Sequence, residues 1–328
     1  MKEEHLNYGT AIRSAFSYLL ENYPEVFLIG QGLWSPWYVG NTMTDLDKKF
    51  GKERVIDTPV SESACTGAAV GASLAGMRPV IVHPRMDFML YAMDAIVNEA
   101  AKWSHMTGGQ GHPGLTIRAI INRGGEQGAQ HSQALHAWFA HVPGLRVVMP
   151  STVADARDLM IASVLCDDPV IYIDDRWLYE QEDTLPPVIE IDLNEQGPKV
   201  LKEGQDVTLV GSGHAALLAM KSSQVLEERG ISSEVIDIRV LNPFKPEILI
   251  DSVNKTKKLI VVDSGWKSSG FSSEIITSVV ENIMPGTLLK TPKRITLPDA
   301  PAPTSRVLEQ AYYTKVEEII ESVEELIL

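Results

Sequence analysis

Six short runs, VFLIG, RVIDTP, RPVIVH, LTIRAIIN, LRVVMP and PVIYID, crowd the first half of the chain and are almost unbroken in apolar character. A strand with one wet face alternates apolar and polar side chains. An unbroken run needs cover on both faces, which is the setting of a strand in a parallel sheet. Helical apolar spacing separates several of the runs, at 66–76, 91–103 and 152–165, and precedes them at 8–22. This alternation predicts a doubly wound α/β sheet. The stretch 180–204, with TLPP and a Gly-Pro pair, reads as a crossing over the surface. A second α/β unit follows it: strand VTLVGSG, helix 214–229, strand SEVIDIRVL, a helix from Pro246, strand KLIVVDSG, helix 272–283 and a last helix from Ser305. The expected division is a first domain at 1–185, a linker at 186–203 and a second, smaller α/β domain at 204–328.

Bulk properties narrow the classes of function. The net charge of −14 is wrong for a nucleic-acid or anionic-membrane surface, both of which want basic patches. No apolar run approaches the roughly 20 residues of a membrane helix. The acidic start MKEEHLNYGT lacks the apolar core of a signal peptide. The two cysteines, Cys65 and Cys166, sit in apolar settings and read as free thiols in a reducing compartment. The expected location is cytoplasmic.

Five stretches taken in order, RVIDTPVSE, GAAVGASLAGMRPV, AMDAIVNEAAKW, GAQHSQALHAWFAHVPGLRVVMPSTVADARDLM and VIDIRVLNPF, resemble one family. This is the beta subunit of the thiamine-diphosphate-dependent first component of 2-oxoacid dehydrogenases (pyruvate, branched-chain and acetoin types), in the transketolase superfamily. The likeness spans nearly the whole chain. It implies a doubly wound pyrimidine-binding domain plus a smaller α/β transketolase C-terminal domain, in an α2β2 assembly. The reaction it implies is decarboxylation of a 2-oxoacid, or cleavage of a ketose donor in a two-subunit transketolase-like carboligase. A lipoyl acyltransferase is one acceptor.

The resemblance places the family's cofactor glutamate at Glu62. Thiamine must lose the proton on its thiazolium C2, and its own amino group can remove that proton only in the imino tautomer. A carboxyl group bonded to the pyrimidine nitrogen favours that tautomer, and partial burial shifts its pKa toward the ring's. The plain structural alternative is an acid in the first turn of a helix, worth about 0.3–1 kcal/mol against the helix dipole, with Ser61 or Ser63 as the cap. His131, in GAQHSQ, matches the family's active-site histidine on the substrate side; the alternative is a loop histidine held by backbone bonds. His136 and His141 lie five apart, with no cysteine or carboxylate beside them in the sequence, and read as structural rather than as a zinc site. Phe88 is the candidate to stack on the pyrimidine ring, or else a core residue. The family carries an acid after the strand VFLIG, where this chain has Gln31. Glutamine can hydrogen-bond there without ionising. Together with the aromatic loop Trp34, Trp37 and Tyr38, it points to an altered pocket.

The superfamily holds the cofactor's diphosphate through Mg²⁺ on a Gly-Asp-Gly…Asn segment. This chain contains no Gly-Asp-Gly. The expectation is therefore that Mg²⁺ and the diphosphate are held mainly by an alpha partner. Two rival readings stand beside this one. Gly211-x-Gly213-x-x-Ala216 follows a strand and opens a helix, and Asp237 ends the next strand, as in a dinucleotide fingerprint; that would make an NAD-binding oxidoreductase. A non-catalytic interaction subunit would explain Gln31 but not Glu62 with His131. Ser132 has no triad-like spacing, which disfavours a serine hydrolase.

Overall fold

The structure is a computed structural model that describes residues 3–327. The chain groups into two compact units. The first comprises residues 1–123, 138–148 and 152–196. The second comprises 124–137, 149–151 and 197–328.

In the first unit a two-stranded antiparallel ribbon joins β1 (Glu4–Asn7) to β9 (Glu182–Leu185). Helix α1 (Tyr8–Asn22) starts on a reciprocal cap, in which Asn7 Oδ1 accepts from Thr10 N at 2.8 Å and Asn7 N donates to Thr10 Oγ1 at 2.9 Å. Then come β2 (Val26–Gly30), β3 (Tyr38–Asn41), α2 (Leu46–Phe50), β4 (Val55–Asp57), α3 (Glu62–Leu74), β5 (Arg78–His83) and α4 (Met86–Met89). Next are α5 (Ala101–Met106), β6 (Thr116–Ile121), α6 (His136–Ala140), β7 (Arg146–Val148), α7 (Val153–Leu165) and β8 (Val170–Asp175). Six of these strands form a parallel sheet in the order β7-β8-β6-β5-β2-β4. The five continuous runs after VFLIG all fall on strands of this sheet, and the α/β expectation holds. The stretch at 91–103 departs from a plain α-helix. It opens as a 3₁₀ turn, Leu90–Ala92, and widens into a π-helix at Asp94–Ala100. That widening still turns Ala95, Ile96 and Ala100 into the core.

The second unit contains β10 (Lys199–Lys202), β11 (Val207–Gly211), α8 (His214–Glu228), β12 (Ser233–Asp237), β13 (Val240–Asn242) and α9 (Glu247–Thr256). It continues with β14 (Leu259–Trp266), α10 (Phe271–Val280), β15 (Lys293–Leu297), α11 (Arg306–Tyr312) and α12 (Val316–Ile327). Its five-stranded sheet runs β10-β12-β11-β14-β15, parallel except for β10. Ile319, Ile320, Val323 and Leu326 of α12 bury themselves with Ala215, Ala219 and Leu226 of α8 and with Leu209 and Val235 of the strands.

Two expected elements are divided. SEVIDIRVL breaks into β12 and β13 because Arg239 takes a left-handed φ of 51°, and its N–H turns to the Asp237 carboxylate at 3.1 Å. The last helix breaks at Tyr313, whose backbone is extended and whose ring is buried. The stretch read as a surface crossing also carries structure, in β9 and β10.

Candidate active site

From β2 the chain builds the first sheet in one direction through β4 and in the other through β5, β6 and β8. The order therefore reverses between β2 and β5, and a crevice opens at the carboxyl ends of those strands, where open α/β sheets take ligands. Gly30 ends β2 at this point. A Cβ on Gly30 would stand 2.5 Å from the Val82 carbonyl oxygen, so only glycine lets the two strands close up here. Asp57, at the end of β4, accepts from the N–H groups of Gly32 at 2.6 Å and Leu33 at 3.3 Å. This pins the loop after β2 and places Gln31 on the rim.

The sequence-predicted Glu62 and Gln31 meet in this crevice. They line one hollow with Gly30, Pro59, Cys65 and His83. Glu62 is the first residue of α3 and is half-buried. Ser61, at the cap position, makes no side-chain capping bond. Among the described residues the Glu62 carboxylate has no hydrogen-bond or ion-pair partner, so local structure does not use it up. Gln31 donates from Nε2 to the Tyr38 hydroxyl at 3.1 Å. The wall beside them is apolar, formed by Ile81, Val82, Pro59 and Pro84. The hollow holds about 10 Å³, room for about one water. This chain thus leaves the Glu62 hollow shallow rather than enclosed.

His83 escaped the sequence reading. It ends β5, is buried, and its Nε2 lies 3.3 Å from Thr66 Oγ1 of α3. Burial pushes its imidazole down to about 4, so it stands neutral at neutral pH. The available signal was a histidine closing an otherwise apolar strand. Phe88, by contrast, does not line the hollow. It sits half-buried on α4, while Met86 two residues before it is fully buried. In the aromatic loop, Trp34 is tied to β4 through Nε1 to the Val55 carbonyl at 2.8 Å, and Lys52 lies 3.9 Å over its ring. Trp37 is 72% exposed.

His131 lies in the second unit, in the loop 124–137. Gly124, Gly125, Glu126 and Gly128 all carry positive φ, which folds the loop tightly. Glu126 N donates to the Glu309 carboxylate at 3.1 and 3.2 Å, and a Cβ on Gly128 would stand 2.5 Å from Thr304 Cγ2. The loop is thereby fastened to the segment around α11, and His131 emerges from it half-buried.

His136 does have a carboxylate partner, which its sequence surroundings hid. Its Nε2 bonds Asp263 Oδ1 at 2.9 Å, across 127 positions. Asp263 also accepts from Gly265 N at 2.8 Å and Ser272 N at 2.9 Å. Burial alone would raise Asp263; the His136 ring and these N–H groups outweigh it and bring the carboxyl down to about 2.

The fingerprint-like turn is a packing device. A Cβ on Gly211 would lie 2.7 Å from Ala216 N, and one on Gly213 would lie 2.7 Å from Met149 Cε. Asp237, the residue that would meet a ribose, is fully buried and accepts from the Ser151 hydroxyl and Arg239 N. It has no surface to offer a dinucleotide.

Among the described residues, no group of three or more His, Cys, Asp or Glu is placed to hold a metal ion. No described helix is long and apolar enough to cross a membrane. Cys65 and Cys166 are free thiols.

Comparison with known proteins bears on this arrangement. Residues 4–181 match the family model "Transketolase, pyrimidine binding domain", and residues 198–319 match "Transketolase, C-terminal domain". The chain is 34% identical to a pyruvate dehydrogenase E1 component subunit beta of Rickettsia felis, over 96% of each protein. It is 33% identical to that of Rhizobium meliloti, over 95% of this chain and 68% of the relative. It is 34% identical to the mitochondrial one of Dictyostelium discoideum, over 94% and 88%. Among solved structures, a split gene transketolase described as an inactive beta4 tetramer shares the fold, with a TM-score of 0.78, 20% identity and 98% coverage of both chains.

Proposed function

Because the chain belongs to the family of pyruvate dehydrogenase E1 beta subunits, built from a transketolase pyrimidine-binding domain and a transketolase C-terminal domain, we infer that it is the beta subunit of a thiamine-diphosphate-dependent 2-oxoacid dehydrogenase. It works with an alpha-type chain, in an α2β2 assembly. The observation that carries this reading is Glu62, a half-buried carboxylate at the switch-point crevice with no partner among the described residues.

The residues present fit one face of an aminopyrimidine: a carboxylate at the edge and an apolar wall beside it. When bound, thiamine diphosphate supplies the carbon nucleophile and electron sink that a 2-oxoacid needs to lose carbon dioxide. Glu62 would hold the ring nitrogen of the bound cofactor through its carboxyl group. The α3 dipole and the wall of Ile81 and Val82 set the polarity around that contact. Gln31 orients by hydrogen bonding and adds no charge. His131 is assigned to the substrate side, where an imidazole can hydrogen-bond the substrate and stabilise charge on it. Phe88 is retained as a candidate for ring contact only in the assembled enzyme. Mg²⁺ and the diphosphate fall to the alpha-type chain, and a lipoyl acyltransferase is the acceptor such a dehydrogenase would serve.

Glu62→Gln keeps the shape of the side chain and removes its titration. In the reconstituted pair, assayed with an artificial electron acceptor, the substitution should lower turnover by about 10²–10⁴-fold. Undiminished turnover by a well-folded variant would refute the assignment.

A further inference from the structure

Helix α1 has two unlike faces. One turns Ala11, Ile12, Ala15, Phe16 and Leu19 into the core. The other carries Arg13, Ser14, Ser17, Tyr18 and Glu21, a polar stripe that would ordinarily meet water. Here it lines a cavity of about 470 Å³, a volume in the range of small-molecule sites, which shares no residue with the Glu62 hollow. Further walls come from Lys49 of α2, Arg157 of α7 and the chain at Pro186, Pro187 and Val188. Two bonds hold that last segment. Arg157 Nη1 donates to the Pro186 carbonyl at 2.7 Å, and the Tyr18 hydroxyl donates to Glu190 Oε1 at 2.7 Å.

Three cations line this cavity, and they are unequally satisfied. Lys49 pairs with Glu21. Arg157, whose side chain is 3% exposed, gives Nε to Asp158 at 2.7 Å and Nη1 to Pro186, while its Nη2 has no partner among the described residues. Arg13 is half-buried and has neither a hydrogen bond nor an ion pair among the described residues. The hydroxyl of Ser14, its neighbour in the chain, is also without a partner there. Glu4 is the acid left over on the lining; it is exposed and pairs with none of the three cations. A guanidinium drawn partly out of water with no counter-charge is costly, and so is a buried N–H with no acceptor. An oxyanion in the cavity relieves both costs.

We propose that the cavity beside α1 binds a phosphate group, free or as the monoester of a small organic molecule, through Arg13, Nη2 of Arg157 and the Ser14 hydroxyl. These donors stand on two separate helices, α1 and α7. Donors from different sides suit a tetrahedral phosphate, whereas one arginine fork already satisfies a planar carboxylate. The volume is larger than one phosphate fills, and Pro186, Pro187 and Val188 offer an apolar wall to an organic body. The lining stripe is the face of α1 turned away from its core, so the occupant ties α1, α7 and the segment at 186–188 together without touching the Glu62 crevice. The site does not depend on the thiamine reading.

The test is calorimetric titration of the full-length chain with inorganic phosphate, AMP, adenosine and succinate. Phosphate or AMP should bind saturably, and at least about tenfold more tightly than adenosine or succinate. If AMP is the tighter of the two, the occupant is a phosphate monoester; if phosphate is, the occupant is the free ion. Arg13→Gln should weaken the binding by about ten- to a hundredfold, as loss of a charged donor does. Lys290→Gln, which removes a charge from an exposed position of the second unit, should leave it unchanged. Arg13 has no hydrogen bond or ion pair to lose, so its variant should keep the urea midpoint of the parent. Binding should persist when the alpha-type chain is added. The proposal is overturned if neither phosphate nor AMP binds, if adenosine or succinate binds as tightly, or if a well-folded Arg13→Gln binds like the parent. It is overturned too if the alpha-type chain abolishes binding, which would make this face a subunit contact.

Discussion

At the scale of single residues the site separates into what neighbours in the sequence announce and what only folding brings together. Glu62 and Gln31 were named through the family resemblance, and the fold sets both beside one hollow at the strand ends of the first sheet. The bond between His136 and Asp263 was not legible, because 127 positions separate the two residues and only folding brings them together. Their bond carries a pH signature with a definite sign. Asp263 stands near 2 in the folded chain, against an ordinary value of 3.8. A depressed carboxylate contributes stability that is complete above its unfolded value and is lost as pH falls toward the folded one. His136→Ala removes a principal cause of the depression. Its urea midpoint should therefore fall less steeply than that of the parent between about pH 4 and pH 2. Parallel acid limbs for the two proteins would show that the pair contributes nothing there.

Among the elements, the strands were the plainest to read. Continuous Val, Ile and Leu runs have few other homes than a sheet covered on both faces. Helix ends and interruptions were harder. The helix containing Glu62 begins four residues before its apolar pattern does, because its first turn, Glu-Ser-Ala-Cys, carries no periodic signal. Arg239 breaks a strand through its backbone conformation, which the identity of an arginine does not reveal. The turn between β11 and α8 was legible as glycine-dependent but not as to purpose. The glycine serves contact between strand and helix, since the space a methyl group would need holds Ala216 N. Gly211→Ala should destabilise the chain by about 1–3 kcal/mol in urea unfolding, as overpacking does. An NADH titration should be flat for the parent and for the variant; a saturable signal in the parent would restore the dinucleotide reading.

For the whole molecule, the family and its two-domain make-up were readable from ordered motifs, and the family models fall on the chain in the expected order. The absence of a Gly-Asp-Gly segment points, in the sequence itself, to a site that one chain does not complete. The hollow at Glu62 is the size of a water molecule, far smaller than a heterocyclic ring. The expected consequence is a strict dependence on the partner. The purified chain alone should bind Mg²⁺–thiamine diphosphate at least about a hundredfold more weakly than the mixture with its alpha-type chain, by calorimetry. Equal affinity would mean that this chain holds the cofactor unaided.

The close approach at Gly30 bears on how such a protein can diversify. With the Val82 carbonyl 2.5 Å from where a methyl group would sit, the throat between β2 and β5 has its width set by a missing atom, and no other amino acid can inherit that position cheaply. Gln31, one residue outward on the rim, has no such close approach to hold it. Descendants of this chain can accordingly exchange one diet for another by repainting the lip of the crevice while its gullet stays as it is.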